Sequence, residues 1–465
     1  MITKLGERFT KLFLKYMPNA FVFAILLTLI TGFATFLWLH TSPLKIISGW
    51  YDGFFDLLTF GMQVVLMLAT GYSIALSPIV SKIIDKLAKY IHTPKHVYFF
   101  VVMIGMLLAM ISWGWLVITC VLARELALRV KGINYPFLIA IVYFSGGSWV
   151  TGMSSSIPLL LNTEKNFLIE GGVVSGVIPT SYTLGSTLNL AMIVLFVFVA
   201  PLVILLVSPK KTDKKELSDL LGSKNEEREF TVKQEATSFK LPFKAISDTL
   251  NNSTILQMMI VLMGLIYIVY HFSTKGFDLN LNIMIFIFLI FGLFLHKTPM
   301  RYVIAMKRSC SNISGIVFQY PFYAGIMGIM LYTGLGTRLA GLMASIATID
   351  SYPFYSYLTG GIINFAIPSA GGEFAVVGPS IINAVQELGT GLPRSEINAM
   401  ISRASLSVAY GESLTNLIQP FYLLIVLPVM GAGVKLQARD IMGYLVLPFL
   451  IFFVIEALMV VYMPL

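Results

Sequence analysis

Apolar runs near the length of a membrane span, separated by short polar stretches, set the rhythm of this 465-residue chain. A helix needs roughly 20 apolar residues to cross a hydrocarbon core. That criterion predicts spans near 19–39, 54–78, 135–160, 184–208, 255–272, 280–296, 310–331, 400–430 and 441–463. The fold class that follows is an all-α polytopic membrane protein. Two further apolar stretches do not read as continuous helices. The stretch 97–123 holds "SWGW" (Ser112, Trp113, Gly114, Trp115) near its middle, and 355–386 holds "INFAIPSAGGEFAVVGPS". The second includes Asn364, Pro368, Ser369, Gly371, Gly372 and Glu373. Proline removes a backbone donor, and glycine weakens a helix. Unpaired backbone survives at membrane depth only inside protein or beside a water-filled cavity. Both stretches are therefore predicted to be re-entrant helical hairpins.

The basic residues give these hairpins a direction. Lys82, Lys86, Lys89 and Lys95 precede the first, and Arg124, Arg129 and Lys131 follow it. Basic loops mark the cytoplasmic side, so the chain enters and leaves on one side. Arms of about 13 residues, roughly 20 Å, are too short to cross. Arg124 and Glu125 are expected to pair at the hairpin mouth. The second hairpin has only Arg338 and Arg394 in its flanking loops, so it enters from outside. At the N-terminus, Lys4, Arg8, Lys11 and Lys15 alternate with Leu5, Phe9, Leu12 and Phe13. This spacing suits a basic amphipathic helix on an anionic cytoplasmic surface. Counting crossings from it leaves the C-terminus outside.

A repeat of constant offset divides the chain. "LWLHTSPLK" begins at Leu37 and "LFLHKTPMR" at Leu293; His40 and His296, Pro43 and Pro299, and Gln63 and Gln319 are each 256 apart. The same offset carries Ser112 onto Pro368. The predicted organisation is a first repeat at 1–208, a polar cytoplasmic linker at 209–254, and a second repeat at 255–465. An odd number of crossings between corresponding elements inverts their topology. Inverted repeats with broken helices meeting near the midplane are a mark of secondary transporters.

Composition agrees and excludes several classes. The chain is 57% hydrophobic and 12% charged, against about 25% charged in soluble domains. Its net charge of +9 falls in loops beside spans and predicts no nucleic-acid partner. The two cysteines, Cys120 and Cys310, make neither a disulfide framework nor a metal site. No HExxH, paired intramembrane Asp or Ser/His pairing appears, so an enzyme is not expected.

Candidate chemistry gathers at the hairpin tips and on the span after each. The first repeat has "SGGSWVTGMSSS", with Ser148, Thr151 and Ser154 to Ser156, and the second "YGESLTNLIQP", with Glu412, Ser413, Thr415, Asn416 and Gln419. Hydroxyls and amides in unwound segments hold a small cation or a carboxylate; in ordinary spans they join helices. An acid inside a span marks a pathway, proton relay or ion site, which singles out Glu412. Glu373 sits nearer a turn and is more easily wet. The substrate set is Ser112, Trp113, Gly114, Trp115, Ser148, Asn364, Pro368, Ser369, Gly371, Gly372 and Glu373. The ion or proton set is Glu412, Ser413, Thr415, Asn416, Thr151 and Gln319. The helix after the second tip points its N–H groups at the gap, a ready place for a carboxylate. Trp113, Trp115, Trp149 and Phe365 offer surface for a short acyl tail.

"HKTPMRY", "VFQYPFYAGI", "INFAIPSAGGEFAVVGP", "YGESLTNLIQP" and "RDIMGY" resemble the signature segments of bacterial short-chain fatty acid transporters of the acetoacetate/butyrate uptake type. The resemblance covers nearly the whole chain. Pro368-Ser369-Ala370-Gly371-Gly372-Glu373 departs from the family's Pro-Ser-Gly-Gly-Gly followed by an aromatic. Ser112 stands where the family has Asn, and Trp115 replaces a later Gly. The family implies an ion-transporter-superfamily architecture in the bacterial inner membrane, with hairpins on a mobile transport domain, a dimerising scaffold and elevator-type alternating access. The expected activity is cation-coupled uptake of a small monocarboxylate, with H+ or Na+ cotransported, no cofactor, and Na+ as the one metal ion considered. Carriers of a dicarboxylate or sugar acid, and a passive anion channel, remain alternatives.

Overall fold

The computed structural model describes residues 2–56, 58–153, 155–164, 166–209, 215–221, 231–243, 245–276, 280–311 and 313–465. Every regular element among them is helical. Six helices are long and apolar enough to cross a membrane, and up to nine if each bent pair forms one span. Their burial separates periphery from centre. The apolar window of Ala20–Leu39 is 17% buried, whereas that of Tyr135–Leu161 is 88% buried. Polar side chains on the second therefore face protein rather than lipid.

Local sequence explains where helices begin. Thr93 caps the first hairpin's entering arm, accepting from His96 N–H, and Pro94 sits at its first position, where the missing N–H is harmless. The arm runs Pro94–Ile111 and the returning arm Leu116–Arg129, joined by a tight turn at Trp113–Trp115. The entering arm has 18 residues, longer than the 13 expected, because the capping Thr-Pro pair starts the helix before the apolar run. Its length alone, about 27 Å, no longer rules out a crossing. The second hairpin has arms Tyr352–Ile363 and Ala370–Leu388 around a non-helical tip.

Hydropathy alone missed four amphipathic helices beside spans: Pro43–Asp56, Pro78–Ala88, Pro299–Cys310 and Leu335–Ser345. Pro43–Asp56 and Pro299–Cys310 each begin on proline shortly after a left-handed residue, His40 or Lys297. The linker holds short helices at Leu217–Leu221, Val232–Ser238 and Ile246–Asn251 among its described residues; 210–214, 222–230 and 244 lie outside the description. The N-terminal helix Ile2–Tyr16 docks on Ala438–Tyr444, burying Thr10 against Gly443, while Lys11 and Lys15 stay exposed.

The tightest helix pair in the second half is Tyr352–Ile363 against Arg394–Thr415. Backbones meet there: a Cβ on Gly411 would overlap the Tyr357 carbonyl oxygen, and one on Gly360 the Val408 carbonyl oxygen. Small residues at such contacts allow close packing without a hydrophobic driving force between helices. This pairing fixes the second tip beside the polar motif.

Candidate functional site

Both polar motifs break their spans. The helix Tyr135–Ser145 tightens into Gly146–Thr151 before resuming at Ser156–Leu161. Arg394–Thr415 gives way to a short turn at Asn416–Ile418, and the chain bends by 48° into Leu423–Met430. Ser154 lies outside the described residues.

Asn364, fully buried at the second tip, organises the site. Its amide nitrogen lies 3.0 Å from the Glu412 carbonyl oxygen, 2.9 Å from Thr415 Oγ1 and 2.9 Å from Asn416 Oδ1. Gln419 Nε2 donates to Asn416 Oδ1 at 2.7 Å and to the Asn364 carbonyl at 3.3 Å. Asn416 Nδ2 donates to Glu412 Oε1 at 3.3 Å. Three acceptor atoms in this cluster, Asn364 Oδ1, Gln419 Oε1 and Glu412 Oε2, are buried without a donor. Glu373 stands in the first turn of the returning arm, fully buried, and both its carboxylate oxygens lack a partner. The expectation that Glu373 is easily wet is thus corrected: its side of the arm's first turn faces packed protein.

The two broken segments are laced together. Ser413 Oγ donates to the Gly147 carbonyl at 2.7 Å. Tyr143 donates to the Asn416 carbonyl and reaches the Gln419 carbonyl at 3.0 Å. Tyr410 donates to Asn189 Oδ1 at 2.9 Å, and Asn189 Nδ2 donates to the Thr151 carbonyl at 3.0 Å. Thr151 and Ser148 hydroxyls are committed to the Ser148 and Met106 carbonyls, both at 2.8 Å. They brace the unwound turn.

The first tip is built differently. Ser112 is buried and its carbonyl accepts from Trp115 N–H at 2.9 Å. Gly114 packs on Met67, and Trp113 and Trp115 join the cluster of Met67, Met284, Ile285 and Phe288. Tyr422 touches both tips: its ring meets Trp113 edge-on at 5.8 Å between centroids, and its hydroxyl donates to the Pro368 carbonyl at 3.1 Å. Pro368 and Ser369 line a small cavity with Tyr320, Met327 and Phe421. Gly371 and Gly372 are half-buried beside it, and Trp149 is buried in the core. Gln319 sits on Ser314–Thr333, and no described hydrogen bond joins it to Glu412, Ser413, Thr415 or Asn416. The structure does not bring it into the ion cluster.

Arg124 does not pair with Glu125. Its guanidinium donates to the Met430 and Ala432 carbonyls, each at 2.7 Å, while Glu125 pairs with Arg129 at 2.6 Å. Adjacent helical residues point apart, and residues four apart face each other. The carbonyls at the end of Leu423–Met430 lack intrahelical donors, so Arg124 ties the first hairpin to the second broken span. Gln386 of the second hairpin reaches the Val173 carbonyl at 2.9 Å, in the loop beyond the first broken span.

Known proteins that resemble this chain give its family. The family described as Short chain fatty acid transporter matches residues 1–463. A relative from Escherichia coli (strain K12), provisionally named a short-chain fatty acid transporter, is 35% identical over 446 residues, covering 96% of each chain. One of the same name from Haemophilus influenzae is 32% identical over 449 residues, again covering 96% of each. Among solved structures, MtrF of Neisseria gonorrhoeae, described as an antimetabolite efflux pump, matches with a TM-score of 0.41 and 17% identity over 96% of this chain and 95% of that one. Relatives and apolar helices together make this a multi-pass membrane transporter rather than an enzyme. The chain belongs to the short chain fatty acid transporter family.

Proposed function

We propose that the protein takes up short-chain monocarboxylates across the bacterial inner membrane by secondary active transport, driven by a cotransported cation, H+ or Na+. The observation that carries this reading is the cluster around Asn364. It joins a hairpin tip to a broken span and leaves three acceptor oxygens, one of them a carboxylate oxygen, without donors. A buried set rich in acceptors is costly unless a cation completes it. Glu412, Asn364 and Gln419 supply the oxygens in this reading, and Asn416 and Thr415 position them.

The substrate class follows from what the tips lack. Neither 112–115 nor 364–373 contains Lys or Arg, so no fixed cation is provided for a second carboxylate. Tyr320, Met327 and Phe421 beside Pro368 give the second tip an apolar wall, the surface against which a short acyl tail would lie. The hairpins and broken spans move as one body in an elevator-type cycle, with the N-terminus inside, the C-terminus outside, and a homodimer holding the scaffold still. Support for a common body comes from the hydrogen bonds that join hairpin to broken span in both halves.

Uptake of labelled butyrate, acetoacetate and succinate into proteoliposomes, under separate sodium and proton gradients, tests this. Accumulation of butyrate or acetoacetate above equilibrium under one gradient is expected. Concentrative succinate uptake without butyrate uptake rejects the substrate class, and flux indifferent to both gradients rejects the coupling.

A further inference from the structure

The final span carries an acid that the candidate site leaves unused. Glu456 lies within Val446–Tyr462, a helix with no other charged residue, and is 1% exposed. Its one described hydrogen bond comes from Tyr357, whose hydroxyl lies 3.2 Å from Oε2. Tyr357 is equally buried and belongs to the entering arm of the second hairpin. No described ion pair includes Glu456. The elements packed against this helix carry these titratable or charged groups. Arg394–Thr415 carries Arg394, Glu396, Glu412, Tyr410, engaged with Asn189, and Arg403, whose guanidinium is committed to the Val460, Val461 and Met463 carbonyls, and the hairpin arm adds Tyr352 and Tyr355 to Tyr357. The turn 442–444 contributes Tyr444, the N-terminal helix contributes the exposed Arg8, Lys11 and Lys15, and 187–207 and 416–418 contribute none.

A cleft lies near this acid. A cleft of about 540 Å³ opens at the end of the same helix, lined by Asp350, Tyr352, Glu396, Arg403, Val461 and Tyr462 among others. Tyr357 follows Tyr352 by five residues, and Glu456 precedes Val461 by five. Each therefore lies about 7.5 Å along its helix from the cleft lining. A carboxyl at such depth, without a cation, is by default part of a proton or ion pathway. A purely structural partner for Tyr357 needs only a neutral acceptor.

We propose that Glu456 is a proton-exchange site of the transport cycle, reached from this cleft and held by Tyr357. A hydronium in the cleft gives its proton to a Glu456 oxygen and becomes water; the reverse transfer to water completes the exchange. Since Tyr357 rides on the hairpin and Glu456 on the final span, the protonation state acts on the contact between them. The inference rests on the cation-coupled reading above and names one of its ions.

The test is Glu456→Gln in proteoliposomes, because glutamine keeps the size and the acceptor for Tyr357. Proton-gradient-driven accumulation is expected to fall at least ten-fold, while substrate counterflow without a gradient stays within two-fold of the unaltered chain. Glu456→Asp is expected to restore part of the accumulation, and Tyr357→Phe to shift the pH of half-maximal uptake by about one unit. Full proton-driven accumulation by Glu456→Gln overturns the proposal. So does equal loss of counterflow and accumulation in a variant that elutes as a folded protein. Sodium-only accumulation by the unaltered chain overturns the proton site but leaves cation-coupled transport standing. Uptake indifferent to both gradients removes the transport reading as well.

Discussion

The two hairpin tips, with Ser112 and Pro368 256 residues apart in the chain, are made of opposite materials. The first is mainly apolar and packed, with Gly114 on Met67, two tryptophans on a methionine- and phenylalanine-rich cluster, and one buried unpartnered donor, Trp115 Nε1. The second is polar and under-satisfied, with Asn364 bonded three ways and Glu373 bonded by neither carboxylate oxygen. A packed tip shapes a wall, whereas an under-satisfied one awaits a ligand, since buried polar atoms are paired in most native structures. In the proposed reading, ion chemistry falls at the second tip and exclusion of water at the first. Tyr422, in contact with both, is where the two meet.

The largest expected effect comes from Asn364→Ala. It removes the three hydrogen bonds of the Asn364 side chain to the broken span, leaving Thr415 Oγ1 without that donor and Asn416 Oδ1 with only the one from Gln419. Unsatisfied buried groups cost about 1–3 kcal/mol each, so uptake should fall on the order of 100-fold. The matching change at the first tip, Ser112→Ala, should cost less than ten-fold, because only the Ser112 backbone has a described bond. Equal losses at the two tips would break the comparison.

Glu373→Gln comes next. An ionised Glu373 in the first turn of the returning arm would repel a substrate carboxylate held, in the proposed reading, at the same helix terminus. At an effective dielectric near 20, two charges about 8 Å apart interact by about 2 kcal/mol. The variant should therefore bind monocarboxylate roughly ten-fold more tightly, read as a lower KM at neutral pH. An unchanged KM would mean that Glu373 carries no charge in the substrate-bound state or lies apart from the substrate.

Tyr422→Phe separates the tips more finely. It keeps the ring against Trp113 and deletes the bond to the Pro368 carbonyl, worth about 1 kcal/mol. Uptake should fall about five-fold, and Tyr422→Ala should fall further because it also loses the edge-on contact. If Phe and Ala behave alike, the hydroxyl alone links the two tips.

Much of this was legible in the sequence, and the reason differs by residue. Spans follow from hydropathy because the solvent demands it, and both tips follow from breakers set in apolar runs. Asn364 and Asn416 could be named as polar residues in the right segments, but Tyr143, Asn189 and Tyr422 could not. Their roles come from partners such as Asn416, 273 residues from Tyr143, and no local pattern encodes that distance. Glu456 is another matter, since an acid alone in an apolar run is the same signal that singles out Glu412. Arg124 and Glu125 illustrate a geometric error: neighbours in sequence are not neighbours on a helix face. Glu373 looked wet because it follows a turn, yet that turn is enclosed by protein.

The smallest effect on stability gives the sharpest reading of the comparison. A Cβ added to Gly114 would overlap Met67 Sδ, an atom at the flexible end of a buried side chain. Gly114→Ala should therefore lower stability by about 1–3 kcal/mol through overpacking. A Cβ added to Gly371 would meet nothing within 4 Å, and Gly371 lies inside the first turn of a helix. Gly371→Ala should leave stability unchanged or raise it by up to about 1 kcal/mol, since alanine favours the helix. Open space beside a glycine in the packed middle of a membrane protein is room for something else. If that occupant is the substrate carboxylate at the helix N-terminus, the added methyl should raise KM about five-fold while thermal stability holds. Unchanged KM with raised stability would return this space to ordinary packing, and the substrate would have to be sought on the Tyr320–Phe421 side of the tip.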